Sequence, residues 1–349
     1  MESIKIFMQG QSLSIILISY QRTDLLEKSL KSLVSAIEIV KNNTCELLLS
    51  VYICINGTDD ESYQLALNIK KSFGAISTNI IYNSKPVTPA AARNQLLQLV
   101  TSEFVFFMDD DVYLPNNIFL NFWHLKNQYP NIDVWGGPNL TPPSNSQKQK
   151  DCGWLVSQAL IVGPIAQRYV FSSKDLSLGG QFNLMLCNLF VRNKVLKKGF
   201  EFFFKTAEEN ELIYRLQRQK CQMLASSQLF VWHERRKTYT EFIKQIFYYG
   251  YGRGQLLARV SLFKQKLFLL VPIVCLFCLF FLFAFPKTIF AMILLWLTCI
   301  QFLYFIQVRH LSVKILFLPL LMCVAYTIGL FRGQTEMITQ YQKSKILRT

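Results

Sequence analysis

The amino-acid sequence predicts an α/β fold with a mostly parallel sheet, followed by a C-terminal α-helical membrane region. Apolar, strand-like runs alternate with amphipathic helical segments in the N-terminal half, and short polar connections join them, which is the pattern of strands linked by crossover helices. The apolar run Phe104–Met108 leads directly into three aspartates, as a strand buried in the middle of such a sheet would. Near the C-terminus, three runs approach the length of about 20 apolar residues that a membrane span requires, at 267–285, 288–308 and 314–331.

The first predicted strands bring three polar loops to one edge of the sheet. Strands are expected at 13–18, 46–55, 79–82 and 104–108, with helices between them at 24–37, about 60–73 and 89–99. Asp24 and Glu27 fit a capping box for the first helix, and Thr88 is expected to cap the third. Loops that follow parallel strands open at the same edge, so 20–22, 56–60 and 109–111 should converge on one crevice.

The three aspartates, Asp109, Asp110 and Asp111, allow two interpretations. Adjacent carboxylates repel one another, and a divalent cation that holds phosphate relieves the repulsion. Short acids also end strands and cap helices, and a helix is expected to start near Pro115. Taken alone, the pattern leaves both interpretations open.

A second acidic cluster, made of Glu208, Glu209 and Glu211, opens a predicted helix further along the chain. Acids at a helix N-terminus complement the helix dipole, which is a purely structural explanation. A carboxylate in this place can also enter the crevice and act as a general base. The residues alone favour neither explanation.

Three further features have both a structural and a functional interpretation. His233 follows a predicted strand at 222–231 and is either a hydrogen-bonding residue of the fold or a ligand. Arg93 precedes the acidic strand and either binds phosphate or forms a surface salt bridge. The apolar stretch Trp154–Val162 is either core or a surface that meets lipid or a lipid-bearing acceptor.

The composition restricts the classes of partner and of enzyme. The chain carries 37 Lys and Arg against 22 Asp and Glu, a formal net charge of +15, which favours an anionic partner such as a membrane surface, a phosphorylated substrate or nucleic acid. Neither a G-x-G-x-x-G nor a P-loop sequence follows the first strand, which argues against a dinucleotide or P-loop enzyme. The nine scattered cysteines are odd in number and the last four lie in apolar segments, which indicates a reducing compartment, and no signal peptide is recognisable.

The ordered set of motifs resembles family 2 glycosyltransferases of the GT-A fold. The similar segments, in chain order, are 16–30, Asn56–Asp60, Pro89–Asn94, Phe107–Asp111, Glu208–Leu216, His233 and Tyr249–Gly254. They resemble the family's opening strand with Tyr-x-Arg, its second-strand loop, its AARN helix, its D-x-D, its ED helix, its late histidine and its YGxGR segment. The closing segment 325–333 also resembles that of membrane-attached, succinoglycan-type transferases, which build bacterial polysaccharides.

The resemblance implies a membrane-anchored, inverting glycosyltransferase that takes one sugar from a nucleotide-sugar. A divalent cation, Mg²⁺ or Mn²⁺, would be held by Asp109, Asp111 and His233, and the general base would be Glu209. Donor contacts are expected from Ser19, Tyr20, Arg22, Asn56, Asp59, Arg93 and Asp110. The acceptor would be a membrane lipid or a polyprenyl-linked sugar, nucleic acid would not be a partner, and the acceptor side would include Glu208 and Arg253.

Three departures from the family pattern bear on these expectations. Glu209 stands where aspartate is usual, and its longer side chain requires the acceptor to sit slightly deeper. Ile55 stands where an aspartate usually precedes Asn-Gly, so Asn56 or Asp59 would have to replace that contact with the nucleotide base. The Q-x-x-R-W motif of processive synthases is absent, and one sugar per encounter is therefore expected.

The chain is predicted to divide into a catalytic domain at 1–237, basic amphipathic interfacial helices at 238–266, a membrane region with about three transmembrane helices at 267–331 and a basic tail at 332–349. Basic residues beside the first apolar run predict a cytoplasmic catalytic domain on the inner (plasma) membrane. Three crossings would place the basic tail outside, so either one run is re-entrant or the charge rule is weak here. The basic helices alternatively pack on the catalytic domain.

Two other functions are compatible with these patterns. A metal-dependent membrane nucleotidyltransferase would act on phosphate esters and release pyrophosphate. A non-catalytic scaffold of a polysaccharide assembly would not require Asp111 or Glu209, and it leaves the two acidic clusters unexplained.

Overall fold

The computed structural model describes residues 12–43, 47–172, 174–202, 204, 206, 208–259, 273, 285–308 and 312–346. It divides into two compact units, one formed by Met1–Asn145 with Pro164–Glu234 and the other by Ser146–Gly163 with Arg235–Thr349. The predicted α/β fold is confirmed, and it lies in the first unit. The predicted division into four domains stays a prediction.

The strands of the described residues form two sheets. They are β1 Ser12–Ser19, β2 Leu48–Asn56, β3 Ser77–Asn83, β4 Phe104–Asp109, β5 Val112–Tyr113, β6 Val134–Gly136, β7 Asn139–Leu140, β8 Leu176–Leu178, β9 Asn188–Arg192, β10 Met223–Ser226 and β11 Val231–His233. Eight of them form one sheet in the order β3-β2-β1-β4-β9-β6-β10-β8, and β5-β11-β7 form a small second sheet. In the large sheet, β9 is antiparallel to β4 and β6, and β8 is antiparallel to β10, whereas the other pairs are parallel.

The helices of the described residues are α1 Thr23–Lys41, α2 Asp60–Lys70, α3 Pro89–Leu97, α4 Ile118–Gln128, α5 Gln147–Ser157, α6 Ala159–Val162, α7 Glu208–Arg218, α8 Tyr239–Leu257, α9 Pro286–Val308 and α10 Val313–Ile346. The first four and α7 belong to the first unit, and the others belong to the second. The Thr88 hydroxyl caps α3 by accepting a hydrogen bond from the Ala91 amide at 3.2 Å, as predicted.

Aromatic side chains fill the core of the first unit around β4. The Phe190 ring stacks at 4.2 Å between centroids on Phe106 and, at the same separation, on Phe122. Because β4 is covered on both faces, its apolar run is continuous rather than alternating. The core therefore fixes the strand whose end carries the aspartates.

Two local predictions were wrong. The N-cap of α1 is Arg22 and its side chain makes no capping hydrogen bond, so Asp24 and Glu27 form no capping box. The strand predicted at 222–231 is two strands, β10 and β11, separated by a short 3-10 turn at Ser227–Leu229. This turn allows β11 to leave the large sheet and pair with β5 and β7.

In the second unit, α8 and α10 pack backbone against backbone through glycines. A Cβ added to Gly250 or Gly254 on α8 would overlap the carbonyl oxygens of Tyr326 and Leu330 on α10, respectively. Added to Gly329 or Gly333 on α10, a Cβ would overlap the carbonyl oxygens of Phe247 and Tyr251. Small residues spaced four apart on both helices permit this close approach.

A buried carboxylate joins three helices of the same unit. Asp151 on α5 accepts hydrogen bonds of 2.6 Å from the hydroxyls of Tyr239 and Tyr304, and one of 2.8 Å from the Gln147 amide. The Trp154 ring packs edge-on against Tyr304 at 5.0 Å. Trp154, which begins the ambiguous apolar stretch, therefore packs within the second unit.

Two of the three predicted membrane segments lie on described helices. Pro286–Val308 and Lys314–Thr339 are long and apolar enough to cross a membrane, judged by length and composition. The segment predicted at 267–285 lies outside the described residues except for Ile273 and Phe285.

Candidate active site

Neighbouring strands of the large sheet deliver the residues of the candidate site. Asp109 ends β4 in register with Ile18 of β1, so the loop that begins after Ser19 lies beside the aspartates. On the other side of β4, Met108 is in register with Asn188, the first residue of β9. This placement is the crevice at the strand ends that a parallel sheet predicts.

Asp110 is an internal anchor of this crevice. It is 0% exposed, and its Oδ2 accepts hydrogen bonds from the Ser19 hydroxyl at 2.8 Å and from Arg22 Nε at 3.2 Å. Its Oδ1 is ion-paired with Arg22 Nη2. Burial raises the pKa of Asp110 to about 7 against the opposing attraction of Arg22, and the neighbouring aspartates add to the rise.

Asp111 lies between a cation and a histidine. Arg22 Nη1 donates to Asp111 Oδ2 at 2.8 Å, and His233 Nε2 lies 3.3 Å from Asp111 Oδ1. The small sheet creates the second contact, since His233 on β11 is in register with Val112 on β5. The Glu234 amide also donates to the Asp111 carbonyl oxygen at 2.9 Å. The structure thus brings together two of the three predicted metal ligands.

Arg93 connects the two acidic clusters. It is 8% exposed, and its Nη2 lies 3.1 Å from Asp109 Oδ1 while its Nη1 lies 3.1 Å from Glu208 Oε1. Its guanidinium also lies over the Phe200 ring, 5.7 Å from the centroid. Burial raises the pKa of Glu208, and Arg93 opposes that rise. The carboxylate that ends β4 and the one that opens α7 therefore face a single guanidinium.

Glu209 is held by residues that were not among the predicted site residues. Its Oε1 is 3.2 Å from Arg168 Nη1, and its Oε2 accepts a hydrogen bond from the Leu186 amide at 3.2 Å. Arg168 lies in a 3-10 turn, Gly163–Arg168, where neither periodicity nor a motif marks it. An arginine in an irregular segment carries no sequence signal of its own, so only the fold identifies it.

Three residues that were predicted to contact the nucleotide-sugar donor have structural roles in the fold. Asn56 exchanges hydrogen bonds with the Val87 backbone, accepting from its amide at 3.0 Å and donating to its carbonyl at 2.8 Å. Asp59 caps α2 by accepting from the Ser62 amide at 3.1 Å. Tyr20 is 48% exposed, and its ring packs on Gly57, whose φ of +115° favours glycine. Of these, Tyr20 leaves the most surface for a ligand.

Arg253, predicted on the acceptor side, is buried in α8 of the second unit. The residues described above, by contrast, all belong to the first unit.

The side chains of the site suit a hard divalent cation in part. Carboxylate oxygens and an imidazole nitrogen suit Mg²⁺ or Mn²⁺, and the Asp111–His233 contact places two such donors side by side. Among the residues that the structure describes, however, no group of three or more His, Cys, Asp or Glu is arranged to hold a metal ion. Arg22 and Arg93 balance the aspartate charges instead.

Comparison with known proteins supports the fold and the kind of domain. Residues 14–170, less than half of the chain, match the family model described as Glycosyl transferase family 2. Together with the architecture, this match supports a family 2 glycosyltransferase domain, and the chain has a GT-A, Rossmann-like fold. No curated protein sequence matched the chain.

Two solved structures illustrate the likeness. The mannosyltransferase PcManGT from Pyrobaculum calidifontis, in complex with GDP-Man and Mn²⁺, has a TM-score of 0.50 and 11% identity over 95% of this chain and 75% of its own. TarS 1–349 from S. aureus, in complex with UDP-GlcNAc, has a TM-score of 0.50 and 14% identity over 94% of this chain and 92% of its own. At such low sequence identity, these structural similarities support the fold alone.

Proposed function

We propose that the chain is an inverting glycosyltransferase that moves one sugar from a nucleotide-sugar to an acceptor hydroxyl. The observation that carries this proposal is the Arg93 bridge between Asp109 and Glu208, because it brings the start of α7, and with it Glu209, to the edge where the aspartates end β4. The family-model match over residues 14–170 supports the same chemistry. GDP-Man and UDP-GlcNAc, bound by the two similar structures, are the first donors to test.

Glu209 is the proposed general base. The acceptor oxygen forms a bond to C1 of the sugar as the bond between C1 and the diphosphate oxygen breaks, and the electron pair of that bond leaves with the nucleoside diphosphate. The proton of the acceptor hydroxyl moves to the Glu209 carboxylate. Attack from the face opposite the leaving group inverts the configuration at C1.

The aspartates and arginines organise the leaving-group side. Asp111 and His233, the two predicted ligands that lie side by side, would hold a divalent cation, which when bound neutralises charge on the diphosphate. The Arg22 side chain is the more exposed of the two arginines, at 34% against 9% for Arg93, and Arg22 is the proposed diphosphate contact. Asp110, wholly buried between Ser19 and Arg22, is proposed to hold this loop in place rather than to contact the nucleotide-sugar donor.

The acceptor is proposed to be lipid-linked, as in the succinoglycan-type transferases that the closing segment resembles. Support comes from the two helices long and apolar enough to cross a membrane and from the formal charge of +15, which favours an anionic membrane face. The proposed location is the inner membrane, which the chain would cross more than once, with the catalytic domain in the cytoplasm. Transfer to a water-soluble acceptor in a membrane-free, detergent-free extract would contradict this part of the proposal.

A donor screen tests the proposal as a whole. The full chain in detergent is incubated with a panel of nucleotide-sugars and a membrane-lipid extract, with and without Mn²⁺, and the nucleotide product is identified. Release of a nucleoside diphosphate with sugar transferred to lipid is expected. Release of pyrophosphate would indicate the nucleotidyltransferase instead, and unchanged cellular function in folded Glu209→Gln and Asp111→Asn variants would indicate a scaffold.

A further inference from the structure

Arg168 is fixed at two points beside the proposed base. Its Nη1 lies 3.2 Å from Glu209 Oε1, and its Nη2 donates to the Gln181 carbonyl oxygen at 2.6 Å. The side chain is buried, at 8% exposure. A planar guanidinium held by two acceptors has little rotational freedom, so it presents a fixed donor to the Glu209 carboxylate.

Glu209 is also held from its other oxygen. The Leu186 amide donates to Oε2 at 3.2 Å, so the two oxygens have one donor each, from different segments of the chain. Two donors define both the position and the plane of a carboxylate. This matters at a position where the expected aspartate is replaced by the longer and more flexible glutamate.

Stability alone explains the buried Arg168 poorly. A buried ion pair often contributes no more to stability than apolar side chains of similar volume would, because both charges lose their hydration. The Nε atom of Arg168 is also buried and has no hydrogen-bond partner in the described part of the chain, which adds to the cost. A costly group at the edge of a site is expected where its geometry serves the chemistry.

We propose that Arg168 is a positioning residue that holds the Glu209 carboxylate in the orientation from which it accepts the acceptor proton. The inference rests on the proposed function, in which Glu209 is the base. It predicts that Arg168 affects the chemical step and not the affinity for the donor. It also predicts that Arg168 acts only while residue 209 can accept a proton.

The test is a double-mutant cycle with Arg168→Gln, Glu209→Gln and the double variant of the full-length chain, using the donor found in the screen. Arg168→Gln is expected to lower kcat on the order of 10- to 100-fold, the cost of misplacing a catalytic group, with KM for the donor unchanged. Introduced into the Glu209→Gln background, it is expected to lower the residual rate no further. Arg168→Lys keeps the positive charge but lacks the planar guanidinium with its two terminal nitrogens, and its kcat is expected to lie between those of Arg168→Gln and the wild type.

Arg218→Gln, which removes an exposed arginine at the end of α7, is the matched control and is expected to leave kcat unchanged. Equal losses in the wild-type and Glu209→Gln backgrounds, or an unchanged kcat in Arg168→Gln, would overturn the role of Arg168 while leaving the proposed function intact. A wild-type chain that transfers no sugar from any donor would overturn the proposed function, and the inference with it. If Arg168→Gln fails to fold, the cycle is run with Arg168→Lys, whose smaller loss of kcat is likewise expected in the wild-type background and not in the Glu209→Gln background.

Discussion

Asp109 and Glu208 accept hydrogen bonds of the same length, 3.1 Å, from the two terminal nitrogens of Arg93. One acid ends a central strand, and the other opens a helix that follows much later in the chain. Their separation is therefore set by the width of a guanidinium. The sheet edge and the helix start are therefore adjacent, as the proposed mechanism requires.

Removal of Arg93 is expected to destabilise the first unit. Arg93→Met would leave two buried or half-buried carboxylates without their shared cation, at a cost of about 3–5 kcal/mol in the free energy of unfolding. Chemical denaturation followed by circular dichroism measures this. Lys31→Met, which removes one exposed ion pair with Glu27, is the control and is expected to cost less than about 1 kcal/mol. Similar losses in the two variants would contradict a special role for the bridge.

Substitution of Glu209 is expected to separate chemistry from binding. Glu209→Gln keeps the hydrogen bond from Leu186 but cannot take the proton, so kcat should fall about 10²- to 10⁴-fold while the donor still binds. Glu209→Asp should retain only part of kcat, because the shorter side chain draws the carboxylate away from Arg168. Steady-state kinetics and donor titration by calorimetry provide the two readouts. A normal kcat in Glu209→Gln would remove this residue from the mechanism.

Metal affinity is expected to depend on Asp111 and His233. Asp111→Asn and His233→Ala should each weaken Mn²⁺ binding on the order of 10-fold or more, measured directly by electron paramagnetic resonance in the presence of nucleotide. His124→Ala removes an exposed histidine of the same unit and should leave the affinity unchanged. Equal Mn²⁺ affinity in all four proteins would place the cation elsewhere. Circular dichroism of each variant checks that the fold is retained.

The Cys54 thiol is expected to be unreactive in the folded protein. Burial in β2 raises its pKa to about 12, from an ordinary value of 9.0, so almost no thiolate exists at pH 8. Because the folded-state pKa is the higher one, this group's contribution to stability is complete below pH 9 and is lost as the pH rises towards 12. Iodoacetamide labelling at pH 8, read by peptide mass spectrometry, should modify the half-buried Cys221 first and Cys54 only after denaturation. Equal labelling rates would contradict the burial of β2.

The glycines between α8 and α10 are expected to be intolerant of any side chain. Helix propensity alone predicts that Gly254→Ala or Gly333→Ala stabilises a helix by about 1 kcal/mol. Overlap with carbonyl oxygens of the facing helix should reverse the sign and cost about 1–3 kcal/mol. Thermal unfolding in detergent measures the change. A higher melting temperature in either variant would show that the two backbones are not in close contact.

Much of the fold follows from local patterns. The succession of β1, β2, β3 and β4 along the chain could be predicted because each contains a run of apolar residues and helical segments with a cap or an amphipathic face lie between them. The same reasoning placed the loops that contain Ser19 and Asp109 at one edge, since parallel neighbours end together. The antiparallel strand β9 escaped prediction, because nothing in a short apolar run specifies its direction.

The candidate site was less accessible to sequence reasoning where distant segments meet. Arg93 could be singled out by its position before the acidic strand, but its contact with Glu208 depends on where α7 lies. Arg168 could not be found, because it occupies an irregular turn and its partner is far along the chain. Asn56 and Asp59 were predicted from a motif as ligand contacts, whereas polar residues after a strand equally serve to close a loop and cap a helix.

The interlocked glycines of α8 and α10 have a consequence for biosynthesis. The glycine face of α8 is translated long before residues 329–333 of α10. While the chain is being synthesised, this face therefore lacks the helix that packs on it in the described structure. Until α10 emerges, that face is open to contacts with other helices or with chaperones. The packing of α8 is therefore expected to be complete only once α10 has been synthesised, and a ribosome stalled before residue 329 should expose α8 to proteolysis.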